Sequence, residues 1–398
     1  MKVVHVATGA YCVPPSGAGG SERVIYSLAE HLSRLGCDVN IIDIKAKVHQ
    51  ELQSNITFYE VQEPPLADTG FLRHLIRVSV FAVLGVFKLR HLLKNDRIDI
   101  IHTHSQFPAA AILIANRLFH WNLPHVHTTH NSYLVMRPTV ANKLKHILEV
   151  IVFKKASHII AQTEAVRQQL TSKFNVDSTR VTVIPNGIEL EDIAEFIANS
   201  TGPANPSKIV LCPARICPRK NQLSLMEAIP IVLKTYPKAK FVFVGPTEDK
   251  AYFNTLHKFV VDEDLSGSIE FAGEVSRKRL YELYQNATVF TLPTLYETQL
   301  LVHLEAMSFG LPVIISRIAP IENTVGLQKG SALLIDPNSP NEIADAIIRV
   351  FGDEALRKEL SAKGGKLVWG KFGWDQIARD TLNLYNRLAV TTRAQKQT

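Results

Sequence analysis

The sequence predicts an α/β protein of two doubly wound domains in series, each built on a parallel sheet. Three observations lead there. Short apolar runs alternate with longer helical stretches through most of the chain, the βαβ pattern of parallel sheets. The alternation breaks at a Ser-, Pro-, Gly- and Asn-rich stretch, 199–207, and then restarts. A chain of 398 residues is long enough to bury two separate cores.

The apolar runs are rich in β-branched residues and bounded by Gly, Pro and Asn, which marks buried strands. In the first half these are 3–7, 39–44, 98–102, 125–128, 158–161 and 181–184. After the linker come 209–212, 240–244, 268–271, 288–292, 313–315 and 332–335. The first domain is expected over 1–198 and the second over 208–374, with the cleft between them as the default ligand site. An aromatic turn, Phe372-Gly373-Trp374, precedes a last helix expected over about 375–387 and packing back on the first domain. A polar tail, 391–398, is expected to fray.

Composition narrows the class. With 46% hydrophobic and 20% charged residues, the chain has the make-up of an ordinary globular protein. Four cysteines (Cys12, Cys37, Cys212, Cys217) lack the partners of a zinc site or a disulfide framework, so reduced thiols in a cytoplasmic protein are expected. The N-terminal MKVVHVATGAY reads as a first strand rather than a signal peptide. The net charge of +7 is uneven: residues 1–190 carry 20 Lys/Arg against 14 Asp/Glu, whereas 191–398 carry 24 against 23. An anionic partner would therefore meet the first half. Nucleic acid is not expected among the partners.

Five constellations carry chemistry. Ser16-Gly17-Ala18-Gly19-Gly20-Ser21-Glu22 opens a helical stretch, and glycines at a helix entrance let backbone N–H groups approach an anion. About nine residues separate it from the first strand, which argues against a dinucleotide fingerprint. Arg215 and Lys220 follow the first strand of the second half, where two cations could clamp a pyrophosphate; a solvated basic loop is the alternative. His130, in Thr128-Thr129-His130-Asn131, ends a strand, as His102 and His104 end the one before. A histidine there can position or deprotonate a hydroxyl. No acidic residue stands near these histidines in the sequence, and no metal is expected.

The fourth constellation is Glu297 and Glu305, on what reads as the crossover helix between the strands 288–292 and 313–315. Glu297 is expected at the helix entrance and Glu305 about 12 Å further along it, at about 1.5 Å per residue. Carboxylates that far apart cannot share a proton or a metal ion, but they suit two ends of an elongated, hydroxyl-rich ligand. The fifth is 71–94, apolar in its middle and carrying Arg73, Arg77, Lys88, Arg90 and Lys94. It reads either as an interior helix with snorkelling ends or as a contact with an anionic membrane surface. The latter would make the protein peripheral at the inner face of the cytoplasmic membrane.

Taken in order, these pieces resemble the family 4 glycosyltransferases, a large retaining group. The matching elements are Gly19-Gly20, His130, Val183-Ile184-Pro185-Asn186-Gly187-Ile188, Arg215 with Lys220-Asn221, Gly273-Glu274-Val275, and Glu297 through Glu305 with Ala306 to Val313. The resemblance spans most of 1–385. It implies the GT-B fold, two Rossmann-like domains facing across a cleft. It also implies a metal-independent, cofactor-free hexosyl transfer, with UDP- or GDP-sugar as donor and a carbohydrate, lipid-linked or small-molecule acceptor, in polysaccharide or glycolipid biosynthesis. By the same resemblance Arg215 and Lys220 bind the diphosphate, helped by backbone N–H groups near Leu301 and Val302. Glu305 holds the ribose, Glu297 the sugar end, and His130 lines the acceptor side near the transferred sugar. Gly19, Gly20 and Gln299 complete the donor site. The chain departs from the family where Gln299 and Leu300 replace a usual Phe-Gly pair, and where 319–323 lacks the glycines usual there. A sugar-nucleotide epimerase or hydrolase on the same scaffold, or a non-catalytic nucleotide-sugar-binding protein, are the alternatives.

Overall fold

The computed structural model describes residues 1–13, 20–44, 55–62, 71–130, 143–200, 208–297, 299, 301–318 and 330–395. The chain divides into two compact units, Met1–Gly187 with Trp374–Thr398, and Ile188–Gly373.

The first unit runs β1 (Lys2–Val6), α1 (Gly20–Arg34), β2 (Asp38–Ile44), β3 (Ile56–Val61), α2 (Phe71–Asn95), β4 (Ile100–Thr103) and α3 (Gln106–Leu118). It continues with β5 (His125–Thr128), α4 (Lys143–Lys155), β6 (His158–Ala161), α5 (Glu164–Ser172) and β7 (Val181–Val183). Its seven-stranded sheet has the order β3-β2-β1-β4-β5-β6-β7, with every pairing parallel. The central strands are buried along their length, so they lack an alternation of buried and exposed residues, although β4 (IIHT) and β5 (HVHT) carry His and Thr among the buried positions. β3 was not among the expected strands. It sits at the sheet edge, and ITFYEV has only its first and last residues buried, so it lacks the apolar run that announced the others.

The second unit opens with α6 (Leu190–Ala198), β8 (Ile209–Pro213), α7 (Gln222–Thr235), β9 (Lys240–Val244), α8 (Lys250–Asp262) and β10 (Ile269–Gly273). There follow α9 (Arg277–Asn286), β11 (Val289–Leu292), α10 (Val302–Ser308), β12 (Val313–Ser316), β13 (Leu333–Ile335), α11 (Pro340–Gly352) and α12 (Glu354–Lys371). Its six-stranded parallel sheet has the order β10-β9-β8-β11-β12-β13. Helix starts are fixed locally: the side chains of Asp249, Ser276, Ser339 and Asp353 each accept a backbone N–H of the first turn.

Two boundaries depart from expectation. α6 was expected in the first domain, yet the units part at Gly187 and Ile188, because Ile188 and Ile193 lie in the second unit's core. The last helix, α13 (Trp374–Gln395), belongs to the first unit and runs past the expected fraying point at 391. Thr391 and Thr392 lie on it, their hydroxyls donating to the carbonyls of Arg387 and Leu388. α13 packs on α1, where Asp375 and Trp374 both meet His31.

Among the described residues no helix is long and apolar enough to cross a membrane. None of the four cysteines is in a disulfide, and three of them are buried.

Candidate active site

In doubly wound sheets, ligands bind beyond the carboxyl ends of the strands where the strand order reverses. In the second unit that reversal falls between β8 and β11. The loops after these two strands carry Arg215, Lys220, Glu297 and Gln299, and the structure ties Lys220 to Glu297. Lys220 closes a short 3₁₀ turn, Pro218–Lys220, and its ammonium lies 2.6 Å from Glu297 Oε1. Arg219 Nη1 donates to the same oxygen at 2.5 Å, and the Thr294 hydroxyl reaches it at 3.1 Å. The loops are also stitched through the backbone, Leu295 N–H donating to the Arg219 carbonyl at 2.9 Å.

Lys220 and Glu297 are both buried, at 6% and 7% exposure. Burial is the largest influence on Lys220 and lowers its pKa from the ordinary value, while the Glu297 carboxylate opposes the shift. A buried cation is strongly destabilised without its partner, so this arrangement holds a positive charge ready beneath the loop surface. Arg215 is not part of the cluster. It is exposed and pairs with Glu248 at 2.9 Å, although its charge is close enough to depress Lys220 further.

The two glutamates need a correction. α10 begins only at Val302, so Glu297 lies on the loop before the helix, and a rise along the helix does not set its distance from Glu305. Contacts with Lys220 and Arg219 hold Glu297 against the β8 loop. Glu305 is on the helix and half-buried, with its Oε2 3.1 Å from the Tyr284 hydroxyl. Leu301 and Val302 open α10 without a capping side chain. Gln299 is half-buried, while Leu300 and the 319–323 segment lie outside the described residues.

Sequence reasoning passed over Arg219, Thr294, Tyr284 and Gly245. The sign of the last was a Gly-Pro pair directly after a strand. Gly245 adopts φ +138°, and a Cβ there would fall within 2.4 Å of the Ala214 carbonyl oxygen. Only glycine lets this turn pass so close to the backbone that leads to Arg215. Gly245→Ala is therefore expected to cost on the order of 1–3 kcal/mol in urea unfolding. An unchanged midpoint would show that the turn relaxes without loss.

In the first unit the order reverses between β1 and β4, and histidines crowd that edge. His5 on β1 lies in register with His102 on β4. A chain of ring contacts runs from His5 Nδ1 to His104 Nε2 at 3.0 Å and from His104 Nδ1 to His130 Nε2 at 3.0 Å. It ends with Gln162 Nε2 at 2.9 Å from His130 Nδ1 and 3.2 Å from Asn186 Oδ1. The amide N–H of Gln162 fixes His130 Nδ1 as an acceptor. His130 then donates to His104, and His104 to His5, so one contact sets three tautomers. Burial lowers the pKa of His5 to about 3 and of His130 to about 4, and it holds His104 well below the ordinary range, so the chain is neutral.

Both ring nitrogens of His130 are already engaged, so a hydroxyl that binds there must displace His104 or Gln162. His5, His102 and His104 place one nitrogen each within 4.8 Å of the others, a spacing a metal ion accepts. Five of their six nitrogens already have hydrogen-bond partners, with His102 held between the Tyr385 and Thr128 hydroxyls. A cation would have to break that network.

Gly20 is the first residue of α1, and a Cβ there would meet nothing within 4 Å; Gly19 lies outside the described residues. Within the first turn of the helix, the buried Glu22 accepts the Thr8 hydroxyl from the loop after β1, and burial raises its pKa.

Comparison with known proteins agrees with this architecture. The sequence matches the family described as Glycosyltransferase Family 4 over residues 18–192 and that described as Glycosyl transferases group 1 over 194–367. An uncharacterized glycosyltransferase of Methanocaldococcus jannaschii is 26% identical over 398 aligned residues, covering 97% of this chain and 98% of the relative. Sucrose-phosphate synthase from Thermosynechococcus elongatus superposes with a TM-score of 0.78 at 22% identity, covering 98% and 100% of the two chains. HepE of Anabaena, in complex with UDP, gives 0.74 at 18% identity, covering 97% and 100%. The two family matches run almost end to end, one over each half of a chain whose paired parallel sheets are those of the GT-B fold, and the protein belongs to the family 4 glycosyltransferases.

Proposed function

We propose that this glycosyltransferase moves a hexose from a nucleotide-sugar donor, with retention of anomeric configuration and without a metal ion, in the assembly of a cell-surface glycan or glycolipid. The observation that carries the reading is the buried Lys220–Glu297–Arg219 cluster at the strand-order reversal of the second sheet. When a nucleoside diphosphate leaves an oxocarbenium-like centre, charge develops on its phosphate oxygens, and preorganised cations stabilise it without reorganising. Lys220 supplies that charge, Arg215 adds to it from the loop surface, and Arg219 joins them as a residue the sequence did not single out. The N–H groups of Leu301 and Val302 assist, with Gln299, Gly19 and Gly20 completing the donor site.

Glu305, steadied by Tyr284, takes the ribose hydroxyls, and Glu297 orients the hexose end. His130 serves the acceptor side by hydrogen bonding, because burial keeps it neutral and a neutral ring with both nitrogens engaged is a positioning group. The acceptor is a glycan, a lipid-linked sugar or a small molecule. HepE was solved with UDP, which makes a UDP-sugar the first donor to test, with a GDP-sugar next.

A thermal-shift series with UDP-, GDP-, ADP- and dTDP-sugars tests the donor. A ligand at 100 times its Kd stabilises the native state by about 2.7 kcal/mol. Transfer of label to a glycan or lipid extract in the presence of EDTA, with the product's anomeric proton coupling matching the donor's, is the expected result. Release of free sugar or an epimerised donor would replace transfer by hydrolysis or epimerisation. Inverted product would end the retaining assignment, and loss of rate in EDTA the metal-independent one.

A further inference from the structure

We propose that the outer surface of the helix layer α2–α3–α4 docks on an anionic lipid bilayer. Right-handed crossovers set the layer. The connections β3 to β4, β4 to β5 and β5 to β6 all step in the same direction along the sheet, so their helices share one face, whereas α1 steps the other way. The packing agrees, with α2 against α3, α3 against α4, and α1 against α13.

Each helix of the layer leaves an apolar stripe in water. On α2 the exposed residues Ile76, Val83, Leu84 and Phe87 recur at helical spacing on one side, while Val78, Phe81, Leu89 and Leu92 are buried on the other. α3 exposes Ile114 and Leu118, at 68% and 66%, one turn apart. α4 exposes Ile147 and Ile151, again one turn apart. Scattered apolar residues need no explanation, but a run across three adjacent helices marks a contact surface.

Charge identifies the occupant. The sequences of α2 and α3 contain no Asp or Glu, and α4 contains only Glu149, which is buried. Against that stand five Lys/Arg on α2, Arg117 on α3 and four lysines on α4, of which Lys145 is buried. Arg90, His91 and Lys94 follow the α2 stripe at its carboxyl end, and Lys143 and Lys154 bracket Ile147 and Ile151 on α4. Beyond the carboxyl end of α2, Asp96 and Asp99 both bond to Lys2. The opposite layer differs, with Glu30 on α1 and Asp375 and Asp380 on α13. Apolar residues rimmed by cations and lacking acids fit the headgroup–acyl boundary of an anionic leaflet. A nucleic acid would use the cations and leave the stripe unused.

Co-sedimentation of the full chain with vesicles tests this apart from any transfer reaction, because it needs neither donor nor acceptor. Binding is expected to phosphatidylcholine vesicles containing phosphatidylglycerol at low salt, with little binding to phosphatidylcholine alone and release as salt rises. Lys88→Gln, Arg90→Gln and Lys94→Gln should each lower partitioning about fivefold. Leu84→Ser with Phe87→Ser should lower it at least tenfold, whereas Arg34→Gln with Arg379→Gln on the other layer should not change it. All these side chains lie at the surface, and circular dichroism checks that each variant is folded. No binding to anionic vesicles at low salt overturns the proposal, as does binding indifferent to the Leu84/Phe87 change, which marks a surface for soluble polyanions. A solution dimer dissolved by the same substitutions overturns it in favour of a second copy.

Discussion

Acidification from pH 7 to pH 5 is expected to unfold the first unit while the second persists to lower pH. The cause is a set of histidines folded away in neutral form. Burial lowers His5 and His125 to about 3 and His130 and His158 to about 4, and it drives His102, His104 and His127 well below the ordinary value. All seven lie in the first unit. In the unfolded chain each takes up a proton near pH 6.5, so below that point the unfolded state binds more protons and stability falls with pH.

By pH 5 each histidine has cost about 2 kcal/mol, or about 8 for the four whose folded values are given above. His102, His104 and His127 act in the same direction. Glu149 works against them: burial raises it to about 8, so its folded form keeps a proton that the unfolded form loses above about 4.5. It returns about 3 kcal/mol over the same interval, and Glu22 shifts in the same sense. The balance favours unfolding, since whole domains are stable by only about 5–15 kcal/mol. Circular dichroism across the pH range, with hydrogen exchange to locate the loss, measures it. A first unit still protected at pH 4 would show that the histidines are solvated when folded.

The second large effect is at Lys220. Lys220→Ala is expected to weaken nucleotide-sugar binding about a hundredfold, or about 2.7 kcal/mol, and also to destabilise the second unit. Removing one partner of a buried pair costs about 3–5 kcal/mol; Arg219 remains on Glu297, which places the stability loss at or below the lower end. The two consequences separate in the double variant Lys220→Met with Glu297→Gln. It removes both buried charges, leaving only the part-exposed Arg219 without its carboxylate, and should recover part of the unfolding free energy while donor affinity stays low. If affinity recovers with stability, Lys220 is structural and the donor site lies elsewhere. Glu305→Ala should also weaken donor binding strongly, and Tyr284→Phe, which removes the hydroxyl near the carboxylate, should weaken it less.

The strands whose apolar runs are buried on both faces were legible, because burial on two faces removes polar residues from consecutive positions. β3 was illegible for the converse reason, since an edge strand need not be apolar. The candidate site was half-legible. Lys220 and Glu297 announced themselves by residue type in the loops after strands, and Glu305 by its spacing from Glu297, but Arg219 was passed over beside Lys220. In a regular helix or strand adjacent side chains diverge, and here a 3₁₀ turn brings both onto one oxygen. Arg215, which shared the expectation with Lys220, turned to Glu248 instead.

The sequence by itself determined two doubly wound parallel sheets, their order along the chain, and the loops on which charged and imidazole groups stand. Those features depend on the periodicity of apolar residues and on turn residues a few positions apart. Only the tertiary structure decided which groups meet. Lys220 and Glu297 are 77 residues apart, His5 and His104 are 99 apart, and His102 reaches Tyr385 across 283. The first two meetings follow from strand order, which sets β8 beside β11 and β1 beside β4, and the third from α13, which belongs to the first unit. Strand order is a property of the packed sheet, because no local interaction in either segment distinguishes one parallel neighbour from another.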